Sequence, residues 1–182
     1  MLRHKITLKT CGLGILQRAL RIWPVYILTM MFFYSLVMRL GSGPFWSKFE
    51  ATTNLCGSMW KDILFISNLI DNGKKDCLDW GWYLQVDFQL FIVCVFLLYL
   101  YTKKKVAYYI SCGVLVLGST VANMIVTYTE KVRVITDIDA LIAFQQFTYD
   151  LYIKPYGRCT PYIMGLMLGV LFMEYRCIFP SI

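Results

Sequence analysis

Asp87 stands in WYLQVDFQLF, residues 82–91, a stretch otherwise suited to opening an apolar helix, with Gln85 and Gln89 two positions to either side of it. At helical spacing Tyr83, Asp87, Leu90 and Cys94 fall on one face. A carboxylate placed there points at other helices or at a wet cavity, because hydrocarbon offers it no partner. It can hold a structural hydrogen bond between helices, or handle a proton or a polar substrate; the residues alone allow both. Asn123, in a later apolar run, is expected at a similar depth, placed to donate to Asp87. A second constellation is Arg18 with Arg21 in RALRIWP, three residues apart on one helical face. Two guanidinium forks so spaced suit a phosphate-bearing ligand, and they suit lipid headgroups equally. A third is YIKPYGRCTPY, 152–162, where Pro155 and Gly157 are expected to force a turn between Lys154 and Arg158. That basic pair can bind an anion or anchor the chain at a membrane surface.

Other chemistry is thinly represented. The single histidine, His4, lies in a basic opening stretch, and its reading is non-catalytic. The sequence holds no metal-ligand cluster, Walker loop, dinucleotide fingerprint or nucleophile elbow. Metal ligands and a resident cofactor are therefore not expected.

The elements that must position these residues are set by the solvent. The chain has 182 residues, 58% of them hydrophobic and 16% charged, and its mean hydropathy is +0.58, outside the usual range of soluble domains. Four apolar runs stand out: Ile22–Leu40, Trp82–Tyr101, Val106–Tyr128 and the shorter Pro161–Tyr175. Long apolar runs in lipid must be helices, since the backbone has no water to bond. The expected fold is therefore all-α, a polytopic bundle of about four spans with two outer loops carrying short helices. Counted from the start of its run, Asp87 would lie roughly 8 Å below the outer helix end.

Charge placement orients the spans. Arg3, Lys5, Lys9, Arg18 and Arg21 precede the first run, Lys103, Lys104 and Lys105 join the second and third, and Arg176 follows the fourth. The remaining connections are balanced, with four basic and five acidic residues in 41–81 and four of each in 129–160. That alternation puts both termini in the cytoplasm. It also disperses the net charge of +7, which a nucleic-acid surface would gather on one face; nucleic acid is not an expected partner, and the bilayer is.

This topology sorts the seven cysteines. Cys56, Cys77 and Cys159 fall on the outer side, where disulfides persist. A Cys56–Cys77 bridge would close a loop of about 20 residues, worth about 3 kcal/mol if unstrained; free or differently paired thiols are the alternative. In 55–70, Leu55, Met59, Ile63 and Ile66 recur at helical spacing, predicting a short helix on the protein or membrane surface. Gly165 and Gly169 form a GxxxG pattern, expected at a close helix contact. No repeat or linker divides 1–182, which reads as a single membrane domain.

Taken together, RALRIWPVY (18–26), LCGSMWKDILFISN (55–68), WYLQVDFQLF (82–91) and YIKPYGRCTPYIMGLMLG (152–169) resemble the acyltransferase 3 family, in particular its branch of "nose resistant to fluoxetine"-like multipass proteins. The resemblance implies an integral membrane O-acyltransferase passing an acyl group from a cytoplasmic donor, with acyl-CoA as co-substrate, to an acceptor within or across the membrane. It implies that Arg18 and Arg21 are the family's Arg-x-x-Arg pair on the donor's phosphates, and that Asp87 orients a polar group in the membrane-embedded cavity. It also implies a catalytic histidine in a span upstream of Arg18. Nothing before Arg18 forms such a span, so the chain is expected to be part of an acyltransferase domain, inactive by itself. Plasma membrane and endomembrane both fit. The alternative class is a non-enzymatic protein that binds or moves lipids or small amphipathic molecules.

Overall fold

The computed structural model describes residues 7–44, 46, 59–70, 78, 80–129 and 151–178. Among them every regular element is helical, and no strand occurs. Helix α1, Leu8–Phe32, carries Pro24 without breaking. Proline removes one intrahelical donor, and packing of α1 against the helix Trp82–Lys103 offsets the loss. The helix runs on through a π turn, Phe33–Val37, into α2, Met38–Leu40. The chain then leaves the helix, and Gly43, at φ 149°, takes a conformation that side chains disfavour.

The segment predicted as one surface helix is two short ones, α3 (Met59–Ile63) and α4 (Ser67–Ile70). They are separated at Phe65, which has a positive φ of 57°. That break corrects the expectation drawn from periodicity. The side chains turned inward are Asp62, Phe65, Ser67 and Asn68, while Met59 stays exposed.

Helices α5 (Trp82–Lys103) and α6 (Lys105–Thr129) form the expected hairpin with only Lys104, in extended conformation, between them. Both are long and apolar enough to cross a membrane. Most of their side chains are not buried within the protein; Val106, Ile110, Val114, Leu117 and Val121 are exposed along α6. Water would penalise such a surface and lipid would not. Exposed hydroxyls on it bond back to their own helix, Thr120 Oγ1 to the Val116 carbonyl and Thr127 Oγ1 to that of Asn123.

Helix α7, Pro155–Ile178, starts earlier than its apolar run. Pro155 and Gly157 were expected to make a turn; instead they form the first turn of α7. Proline suits a first helical position because no partner is required of its nitrogen. Gly157 is needed for a different reason, since a Cβ there would collide with the Leu151 carbonyl. The GxxxG expectation is also corrected. A Cβ at Gly165 or Gly169 would meet nothing within 4 Å, because α7 packs through Cys159, Ile163 and Val170 instead.

Successive long helices run antiparallel, as partner residues show, while α5 and α7, which meet through Trp82 with Arg158 and Tyr101 with Glu174, run parallel. Numbers rising along α1 meet numbers falling along α5, with Arg18 on Asp87 and Phe33 on Trp80. Lys105 of α6 meets Glu174 of α7, and Ser119 meets Tyr156. One core joins α5, α6 and α7 around Leu90, Cys94, Tyr108, Cys112 and Ile163. A second joins α1 to α5 through Ala19, Tyr26, Met30, Phe65, Leu78 and Phe88.

Candidate functional site

On α1, Gly14, Arg18 and Arg21 lie four and three residues apart and so share a face; on α5, Leu84, Asp87 and Phe91 do the same. These faces line a cavity of about 590 Å³. Across it Arg18 Nη2 donates to Asp87 Oδ2 at 2.5 Å, with the two side chains 32% and 29% exposed. The Arg18 guanidinium also lies 4.1 Å from the Phe91 ring centroid, which fixes its plane. Arg21 lines the same cavity and is exposed.

This pairing corrects the expected depths. Charge placement predicts Arg18 at the cytoplasmic mouth and Asp87 near the opposite surface, yet the two side chains touch. A charge normally ends a span, so the apolar run reads as starting at Ile22. A cation neutralised by an acid on the next helix does not have to. On the antiparallel α5, the pair sits sixteen residues from Lys103, roughly 24 Å at helical rise.

Asn123 does not partner Asp87. It lines a separate cavity between α6 and α7 with Thr120, Gly157 and Thr160, and its buried Oδ1 has no hydrogen-bond partner among the described residues. The acid selected Arg18 because α1, not α6, packs against its face.

Lys154 and Arg158 also separate. Lys154 Nζ donates to the Asn68 carbonyl at 2.7 Å, tying α4 to the start of α7. Arg158 lines another cavity, of about 290 Å³, whose opposite wall is again Asp87. Asp87 therefore stands between two cavities, with Tyr162 beside it. Cys159, expected on the outer side, is free and buried in the core. Cys56 and Cys77 lie outside the described residues.

Gln85 and Gln89 have a role the sequence did not reveal. Gln85 Nε2 donates to Asp62 Oδ1 at 3.1 Å and to Ser67 Oγ at 2.6 Å, while its Oε1 accepts from the Asn68 backbone N–H at 2.9 Å. Gln89 Nε2 donates to the Phe65 carbonyl at 2.6 Å and to Asn68 Oδ1 at 2.8 Å. Ser67 Oγ completes the set with Asp62 Oδ1 at 2.7 Å. Asp62, Ser67, Asn68 and Gln85 are each no more than 2% exposed, so the network bolts 59–70 onto α5. The spacing of Gln85 and Gln89, one turn apart, was the available clue.

Compared with known families, residues 7–176 match the acyltransferase domain. The chain belongs to that family. Among curated proteins it is similar to "Nose resistant to fluoxetine protein 6" of Caenorhabditis elegans, 29% identical over 163 residues. The match covers 85% of this chain and 20% of the relative, so the chain spans about a fifth of that protein's length. No solved structure matches it significantly. The family match takes in α1, α5 and α7, and with them Arg18, Arg21, Asp87 and Arg158.

Proposed function

We propose that this protein is an integral membrane O-acyltransferase-like protein in which Arg18 and Arg21 bind the acyl donor and Asp87 holds Arg18 and the acceptor's polar group. The observation that carries the proposal is the Arg18–Asp87 ion pair on the wall of a 590 Å³ cavity, in a chain of the acyltransferase family. Acyl transfer needs donor and acceptor in one place, and one cavity wall holds both assigned groups.

The alternation of α1, α5, α6 and α7 supports four spans with both termini cytoplasmic, as the charge distribution argues. In that orientation Arg18 and Arg21 lie far from the lysine-rich end. An acyl-CoA whose nucleotide stays at that end would present its thioester, rather than its phosphates, to the pair. Guanidinium donors there would stabilise the negative charge that develops on the carbonyl oxygen under attack. Transfer to a hydroxyl also requires a proton acceptor within hydrogen-bond reach. The histidine that the family likeness implies is not among the described residues.

The test supplies labelled acyl-CoA to membranes containing the protein. Transfer of label to a membrane acceptor, lost in Arg18→Ala plus Arg21→Ala, is the expected result; transfer indifferent to the double substitution refutes the assignment. A second reading, passage of an amphipathic molecule without chemistry, is favoured by Asp87 lining both cavities, since opening its ion pair would join them. Movement of an unmodified labelled amphiphile across vesicles, abolished in Asp87→Asn, would select it.

A further inference from the structure

The cavity on the far side of Asp87 holds neither Arg18 nor Arg21 in its wall, and its cation is held unusually. The Arg158 guanidinium lies over three rings, with centroids of Tyr152 at 4.3 Å, Trp82 at 4.9 Å and Tyr83 at 5.8 Å. Rings against its faces fix the plane and leave only the N–H edges for hydrogen bonding. Its Nε is buried and has no acceptor among the described residues, nor does Arg158 form an ion pair among them. A buried charged donor without an acceptor is costly. A planar fork presented edge-on is the arrangement that two oxygens of one carboxylate or phosphate satisfy.

The rest of the wall limits what that anion can be. Val86 and Leu90 are buried on α5, and Pro161 and Tyr162 close the side towards α7. Asp87, the acid in this wall, already faces Arg18, so among the described residues the uncompensated charge is that of Arg158. A volume of about 290 Å³ is at the low end for ligand sites; it admits a head group and the first part of one chain.

We infer that this cavity binds a single-tailed amphiphile with an anionic head, carboxylate or phosphate, gripped by Arg158 with its tail along Val86 and Leu90. Binding needs no acyl donor. Because Asp87 is common to both cavities, the occupant lies one side chain from the donor, where the acceptor of the acyl group would have to be; that last step rests on the acyl-transfer reading.

The experiment measures binding of radiolabelled dodecanoate to the whole chain purified in neutral detergent. Unlabelled dodecanoate and dodecyl phosphate are expected to displace it, with the stronger competitor naming the head group. Dodecanol and inorganic phosphate should be weaker by about tenfold or more, having lost the charge or the tail. Arg158→Gln is expected to weaken binding by about tenfold or more, and Arg158→Lys to recover little, since it keeps the charge but not the fork. Arg21→Gln, in the other cavity, should leave dodecanoate binding unchanged while lowering acyl-CoA binding. Displacement by dodecanol as effective as by dodecanoate overturns the proposal on the wild-type protein alone, and so does wild-type affinity in Arg158→Gln. Dodecanoate binding by a wild-type protein that neither binds nor transfers from acyl-CoA, or unchanged acyl-CoA binding in Arg21→Gln, would instead refute the donor assignment and leave this site standing.

Discussion

At the scale of residues, the Arg18–Asp87 pair illustrates how a charge is kept inside an apolar bundle. Each partner removes the other's need for water, while Phe91 holds the guanidinium plane. Removing one partner leaves a half-buried charge alone, and removing both leaves none. Arg18→Met or Asp87→Leu singly should therefore cost about 1–2 kcal/mol, discounted from the buried-pair range because both groups are about a third exposed. The double substitution should cost less than the sum of the two. Thermal unfolding of the four proteins in one detergent gives the cycle; simple additivity would show that the pair is not coupled. Gly81 makes a separate residue-scale case. A Cβ there would meet Tyr26 Oη at 2.7 Å and the Leu78 carbonyl at 3.0 Å, so Gly81→Ala should destabilise by about 1–3 kcal/mol. Adding Tyr26→Phe should recover part of the loss.

At the scale of elements, the two glutamines of α5 do for the segment 59–70 what an apolar stripe does for an ordinary amphipathic helix. Asp62, Ser67 and Asn68 are buried on a polar contact, and each hydrogen-bonds a glutamine of α5. Gln85→Ala should leave Asp62 and the Asn68 N–H short of partners, at about 1–3 kcal/mol. The segment should then open to protease in the detergent-purified protein before the long helices do. Equal protection in the variant would show that Phe65, packed on Tyr26 and Phe88, holds the segment by itself. Periodicity misplaced this face because helical spacing of Met59, Ile63 and Ile66 assumes an unbroken helix, and the positive φ at Phe65 breaks it.

At the scale of the whole molecule, antiparallel order places Lys103, Lys104 and Lys105 at one end and the Arg18–Asp87 pair towards the other. With the lysines in the cytosol, single cysteines substituted at 103 or 104 should react with a membrane-impermeant thiol reagent only from the cytosolic side. One at Trp80 should react only from the opposite side. The reverse pattern would invert the orientation and return Arg18 and Arg21 to a position facing cytosolic phosphates.

Much of this was readable along the chain: helical class, the apolar runs of α5 and α6, the hairpin between them, the family motifs, and the need of Asp87 for a partner. Those properties depend on composition and on spacing within one segment. The identity of the partner depends on the rotation and vertical register of two helices against each other, and packing sets both. Tertiary structure therefore chose Arg18 over Asn123 for Asp87 and gave Lys154 to a backbone carbonyl. It also turned Gly165 and Gly169 of α7 outward and surrounded Arg158 with rings drawn from α5 and the chain before α7.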